Sequence, residues 1–170
     1  MTKRRISANY VFPVTGEPIK NGYVDFDENG KILEIGALEG ETESTEFYNG
    51  ILCPGFTNAH CHIELSHLKD KFQEKTGMSG FINQINALRD SAPKEERVAL
   101  IQEQFEKLYE EGVTAMADIS NCDESFEAKR RSPIYTRTFL EVFGAFPEEA
   151  EGVIKDVKEL EAKAKAMGLD

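Results

Sequence analysis

Basic residues are scarce in this 170-residue sequence, which has 20 Lys and Arg against 31 Asp and Glu and a formal net charge of −11. A phosphate-binding surface needs clustered Lys and Arg, so this balance argues against nucleic acid and anionic membrane surfaces as partners. Short basic clusters stand at residues 3–5 and 129–131. We expect both to be solvated surface.

Cysteine and long apolar runs are also lacking. Cys53, Cys61 and Cys122 match neither a disulfide framework nor a CxxC zinc site. We therefore expect reduced, buried or half-buried thiols that serve in packing rather than as nucleophiles, and a cytoplasmic location. No run approaches the ~18 apolar residues of a membrane helix, and the basic start has no apolar signal-peptide segment.

Residues 1–50 are typical of a β-rich region. Polar and apolar residues alternate from Tyr23 to Asp27, which predicts a half-buried strand. Asn29-Gly30 follows and is a strong hairpin signal, with residues 31–35 as the returning strand.

From residue 51 the pattern changes to alternating strands and helices. Strands are predicted at 56–62, 113–119 and 134–143. Helices are predicted at 80–89, 93–111 and 148–167, with one more short helix before the third strand. This alternation predicts a parallel sheet with right-handed crossovers and about three β/α units. The sequence therefore divides into residues 1–50 and residues 51–170.

Two histidines stand one residue apart in the first of these strands. Side chains at i and i+2 of a strand point to one face, so His60 and His62 project together and Cys61 projects the other way. Such a pair can share one divalent metal, and imidazole suits zinc or ferrous iron. In a β/α barrel these residues would lie at the C-terminal end of a strand, where barrel active sites form. His67 could be a third ligand if the chain turns back after Leu65.

Several polar residues near strand ends are further candidates. Glu64 could contact substrate or support the metal ligands, or it could be an ordinary loop carboxylate. Glu141, near the end of the third strand, is a candidate substrate contact because barrel residues face substrate there. Asp118, Ser120 and Asn121 end the second strand, and we interpret them as turn-forming residues.

The segment Pro54–His62, PGFTNAHCH, resembles the signature of the amidohydrolase superfamily. The branch it is most similar to contains cytosine and guanine deaminases and chlorohydrolases, including proteins like aminodeoxyfutalosine deaminase. The continuation at residues 63–66 and the EGVT segment at 111–114 are similar as well. The opening β-segment, including residues 29–32, adds to this resemblance.

The resemblance implies a partial (β/α)8 TIM barrel over residues 51–170, preceded by a small β-sandwich segment over residues 1–50. It implies one divalent metal, zinc or alternatively iron, held by His60, His62, a later histidine and a late aspartate. Metal-activated water would then attack an amidine-like carbon of an amino-substituted heterocycle, and ammonia would leave.

A full barrel has eight β/α units and ~250 residues, whereas this sequence contains about three units. We therefore expect an amino-terminal part of a deaminase that is inactive alone. It would need the carboxy-terminal part of the barrel, or self-association, to cover its sheet edges, and the full-length enzyme is expected to be a homo-oligomer acting on a small molecule. The alternatives are a cyclic amide or imide hydrolase of the same superfamily and a non-catalytic metal-binding or assembly module.

Overall fold

The computed structural model describes residues 4–40, 45–144 and 146–169, and the chain forms two compact units, Met1–Pro54 and Gly55–Asp170. The boundary lies after residue 54, whereas the sequence predicted it after residue 50. The difference arises because Ile51 and Leu52 belong to the last strand of the first unit, where they pair with Tyr10 and Val11.

The described part of the first unit is a four-stranded sheet. Its strands are β1 (Arg4–Val11), β2 (Ile19–Phe26), β3 (Ile32–Ala37) and β4 (Thr45–Leu52), in the order β3-β2-β1-β4. The hairpin predicted at Asn29-Gly30 is confirmed, since β2 and β3 pair antiparallel. Asp27 stabilises the turn, because its Oδ1 accepts the main-chain N–H groups of Asn29 and Lys31.

One residue of the first basic cluster is not solvated surface, contrary to the prediction. The Arg5 guanidinium donates two hydrogen bonds of 2.7 Å to the buried carboxylate of Asp25 and lies 3.9 Å from the centre of the Tyr23 ring. A bidentate ion pair and ring stacking both favour a half-buried arginine. Lys3 of the same cluster lies outside the described residues.

The second unit alternates strands and helices as predicted. Its elements are β5 (Phe56–Cys61), a 3₁₀ helix (Ile63–Leu68), α1 (Gly77–Leu88), α2 (Lys94–Glu110), β6 (Val113–Ser120), α3 (Phe126–Arg131), β7 (Tyr135–Leu140), a 3₁₀ turn (Pro147–Glu149) and α4 (Ala150–Ala166). The three strands are parallel in the order β5-β6-β7, which confirms the predicted parallel sheet. Among the described residues, no helix is both long enough and apolar enough to cross a membrane.

An apolar core joins the sheet of this unit to its helices. Ile101 and Phe105 from α2 pack with Ile63, Val113, Met116, Ala128 and Ile134. Both α2 residues are almost completely buried, and they lie four positions apart, on one face of the helix. This core holds the 3₁₀ helix, which follows the histidine pair directly, against α2.

Two glycines fix the start of β5. Gly112 has φ +88°, a left-handed conformation that suits glycine after a helix, and its carbonyl accepts the Phe56 N–H at 2.8 Å. A Cβ on Gly55 would come within 2.1 Å of the Thr114 side chain. Gly55 therefore lets β5 begin close against β6, and this start sets where the histidines at the other end of β5 lie.

Candidate active site

The two histidines lie together at the carboxyl end of β5. Their ring centroids are 5.1 Å apart, with 63° between the ring planes. His60 is exposed and His62 is half-buried. Neither imidazole is committed to a hydrogen bond within the described parts of the chain. The strand is shorter than predicted, because it ends at Cys61 and His62 already has non-strand angles, with φ −125° and ψ 71°.

This separation fits a shared metal. Zinc binds imidazole nitrogen at about 2.0–2.1 Å in a tetrahedral arrangement, which places the centroids of two bound rings about 5 Å apart. The observed 5.1 Å meets that requirement. Within the described residues no group of three or more His, Cys, Asp or Glu side chains could hold a metal ion.

A β-bulge and one side chain set the direction of the first histidine. Asn58 pairs with Met116 and Cys61 with Asp118, so the register between β5 and β6 shifts between these two pairs. Bulges re-aim side chains and are common beside active sites. The Asn58 side chain adds a local contact, because its Oδ1 accepts the His60 N–H at 3.3 Å.

Glu64 is buried inside the first turn after the histidines. Its Oε2 accepts hydrogen bonds from the main-chain N–H of Asn121 at 2.9 Å and of Cys122 at 3.2 Å. Its Oε1 is buried without a hydrogen bond from the described residues, and the Arg89 guanidinium lies 4.0 Å away. This carboxylate ties the turn to the loop that follows β6, and its predicted contact with substrate stays a prediction.

Glu141 is the first residue after β7 and is exposed. Its Oε2 accepts a 3.1 Å hydrogen bond from the side-chain amide of Asn121, and its main-chain N–H donates to the Ser120 carbonyl at 3.1 Å. Asn121 thus connects Glu64 to Glu141 along the carboxyl edge of the sheet. The proposed substrate contact of Glu141 also stays a prediction.

His67 does not form a three-ligand group with the histidine pair within the described residues, although the chain turns after β5 as that alternative required. The His67 ring is buried, and its Nε2 donates to the Arg89 carbonyl at 2.9 Å. Its Nδ1 is buried and has no hydrogen-bond partner among the described residues. The histidine therefore holds the end of α1 against the 3₁₀ helix.

The second basic cluster contains a buried lysine, which contradicts the prediction of a solvated surface. Lys129 on α3 is 4% exposed, and its Nζ lies 2.7 Å from Oδ2 of the buried Asp118. Asp118 and Ser120 are therefore not simple turn formers, since both are fully buried and join this ion pair. Phe126, three positions earlier on the same helix face, is the sequence signal that could have indicated an inward-facing Lys129.

The two thiols of the second unit, Cys61 and Cys122, are half-buried and have raised pKa values. Burial, together with the nearby Asp118 carboxylate, raises the pKa of Cys61 to about 12. Burial, with the Glu64 carboxylate as the next cause, raises the pKa of Cys122 to about 12. Cys53 is exposed, so the expectation that every thiol is buried or half-buried is wrong for this residue.

We expect iodoacetamide at pH 8 to modify Cys53 at least about 100-fold faster than Cys61 or Cys122. A pKa of about 12 leaves roughly a thousandth of the thiolate that an ordinary cysteine has at this pH, and burial restricts access further. Intact-mass spectrometry over time measures the rates, and all three cysteines should react in urea. Equal rates in the folded chain would contradict the half-buried placement of Cys61 and Cys122.

Comparison with known proteins adds independent findings. No protein-family model matches the chain. An adenosine deaminase of Helicobacter pylori is 30% identical over 158 residues, which are 86% of this chain and 38% of that protein. An adenine deaminase of Methanopyrus kandleri is 41% identical over 51 residues, which are 30% of this chain and 8% of that protein.

Solved structures of deaminases match this chain as well. Helicobacter pylori aminofutalosine deaminase, in complex with methylthio-coformycin, matches with a TM-score of 0.68 and 27% identity over 94% of this chain and 40% of that one. Escherichia coli guanine deaminase matches with a TM-score of 0.66 and 17% identity, over 94% and 43% of the two chains. The chain thus spans about two fifths of the length of these relatives, and the predicted partial barrel is confirmed.

Proposed function

We propose that this chain, whose resemblance to the amino-terminal part of amidohydrolase-superfamily proteins is confirmed, supplies part of the active site of a hydrolytic deaminase acting on an amino-substituted heterocycle. The observation that carries the proposal is the pair of imidazoles 5.1 Å apart at the carboxyl end of the first parallel strand. The similarity to deaminases supports the reaction class.

His60 and His62 would hold one divalent metal, with zinc as the first choice and iron as the second. When bound, such a metal supplies Lewis acidity and allows water to act as a nucleophile near neutral pH. Zinc is also the metal in the solved adenosine deaminase of Xanthomonas campestris, a structure that matches with a TM-score of 0.61 and 15% identity.

The carboxylates at the sheet edge would bind the small-molecule substrate. The exposed Glu141 is oriented by Asn121 and can accept hydrogen bonds from amino groups of a heterocycle. Glu64 is buried, so it would support the site by holding the loop after β6 through its Oε2. Alternatively, its Oε1, which has no hydrogen bond from the described residues, would contact the substrate directly.

The remaining ligands would come from the rest of a barrel. In the order β5-β6-β7, the outer strands β5 and β7 each have one unpaired edge within the described sheet. Such edges need a partner, either further barrel strands or a second copy of the chain. We place the protein in the cytoplasm, and we expect the full-length enzyme to be a homo-oligomer.

Ammonia release tests this function directly. The chain alone and the chain extended by the remainder of its barrel are assayed with zinc against adenosine, adenine and guanine. We expect ammonia from the extended protein only, because the chain alone has two of the ligands that a catalytic zinc needs. Turnover by the 170-residue chain alone would contradict the incomplete site. If the extended protein binds zinc stoichiometrically but releases no ammonia from any of the three substrates, a non-catalytic metal-binding module would be favoured.

A further inference from the structure

We propose that Asp118 is a positioning residue for the histidine pair, and that Lys129 holds its carboxylate in place. The metal-binding part of this inference rests on the proposed function. The observation behind it is that one carboxylate oxygen of Asp118 fixes the main chain immediately after His62.

Asp118 touches the chain where β5 ends. Its Oδ1 accepts the Ile63 N–H at 2.8 Å, and Ile63 directly follows His62. Within the ladder, Asp118 is also the residue that pairs with Cys61. His62 lies past the last residue of β5, so hydrogen bonds of the sheet do not hold it. The side chain of Asp118 thus holds the main chain just after the point where the β5–β6 hydrogen bonds end.

Lys129 completes a closed polar network behind the carboxylate. Its Nζ lies 2.7 Å from Asp118 Oδ2, 2.8 Å from Ser120 Oγ and 3.3 Å from Thr138 Oγ1, so each of its three N–H donors has an acceptor. Ser120 Oγ donates in turn to Asp118 Oδ2 at 3.0 Å. The network joins the segment after β5 to β6, β7 and α3, and the carboxylate has no freedom to turn away.

Stability alone is a poor reason for such a pair. Desolvating two charges offsets most of their attraction, and well-packed apolar replacements of both residues are often neutral or stabilising. What the ion pair adds is a fixed orientation of the Asp118 carboxylate. Because Lys129 binds Oδ2, Oδ1 is directed at the Ile63 N–H group. That N–H fixes the backbone that carries the second metal ligand, and groups of this kind behind a metal ligand tune its affinity.

Two double variants separate the acceptor from the charges. Asp118→Asn/Lys129→Met removes both charges but keeps Oδ1 as an acceptor for Ile63, and the new amide can donate to Ser120. Asp118→Leu/Lys129→Met removes the charges and the acceptor, with a side chain branched at the same carbon. The Asn/Met variant keeps the acceptor of the Ile63 N–H, whereas the Leu/Met variant leaves that N–H and Ser120 Oγ without their present partners. Far-UV circular dichroism and the urea midpoint establish that each variant is folded before its zinc affinity is compared.

Three measurements on the 170-residue chain decide the matter. In the Leu/Met variant, we expect fast hydrogen exchange at the Ile63 amide and a main-chain NMR order parameter of His62 that falls from about 0.85 to below about 0.6. We expect its zinc affinity to fall about 10–100-fold. The Asn/Met variant should keep the slow exchange, the high order parameter and a zinc affinity within threefold of the parent.

A merely structural role would shift the urea midpoint and leave the zinc affinity of the folded chain unchanged. Equal zinc affinities in the two double variants would therefore overturn the proposal, even if their stabilities differ. If the 170-residue chain binds no zinc, the affinities are compared in the extended protein, because the proposed function takes the remaining ligands from the rest of the barrel. An extended protein that binds no zinc would overturn the proposed metal function, and the NMR measurements would then judge the positioning role by themselves. An unchanged His62 order parameter in the Leu/Met variant would then overturn it.

Discussion

His60→Ala and His62→Ala should each weaken zinc binding by more than about 100-fold. Removing a partner behind a metal ligand already costs about 10–100-fold in affinity, and removal of the ligand itself should cost more. His60 is exposed, His62 is half-buried, and neither belongs to the apolar core of the second unit, so their substitution leaves that core intact. Competition titration with a zinc-binding dye measures the affinity, in this chain and in the extended protein.

His67→Gln is the matched control for these variants. Its side-chain amide can replace the hydrogen bond that His67 donates to the Arg89 carbonyl, and zinc affinity should stay within threefold of the parent. A loss of affinity in His67→Gln equal to that in His60→Ala would restore His67 as a third ligand. An unchanged affinity in both single variants of the pair would remove the basis of the proposed function.

The position of the histidine pair was predictable because it depends on local rules. Alternation along a strand predicts that His60 and His62 share one face, and a strand followed by a helical crossover predicts that they lie at the carboxyl edge of the sheet. The bulge between Asn58 and Cys61 was not predictable, because it is set by the register with β6, more than 50 residues away in sequence. The sequence also predicted a strand through His62, which the 3₁₀ helix shortens.

The polar contacts around the pair depend on distant segments. Glu64 meets the Asn121 amide across 57 positions, and Asp118 meets the Ile63 amide across 55. The run of three basic residues at 129–131 predicts a surface position for Lys129. Its burial follows from its contacts with Asp118 and Ser120 of β6 and Thr138 of β7, which composition does not reveal. The same limit applies to β4, whose Ile51 and Leu52 are apolar enough for either unit and are placed by pairing with β1.

Phe105→Ala should destabilise the second unit by about 3–5 kcal/mol. The ring is 1% exposed and lies at the centre of the core that joins α2, β6 and the 3₁₀ helix after the histidines. Such a loss is a large fraction of the total of about 5–15 kcal/mol that keeps a domain folded. Urea denaturation followed by circular dichroism of the helical signal measures it, because all the described α-helices lie in this unit.

Tyr109→Ala is the matched control on the same helix, one turn further along. Its ring is 51% exposed, so the substitution should change the free energy of unfolding by no more than about 0.5 kcal/mol. If the core supports the site, Phe105→Ala should also weaken zinc binding at concentrations of urea that leave the parent folded, while Tyr109→Ala should not. Equal unfolding curves for the two variants would contradict the packing of α2 against the sheet, and with it the support on which the histidine pair depends.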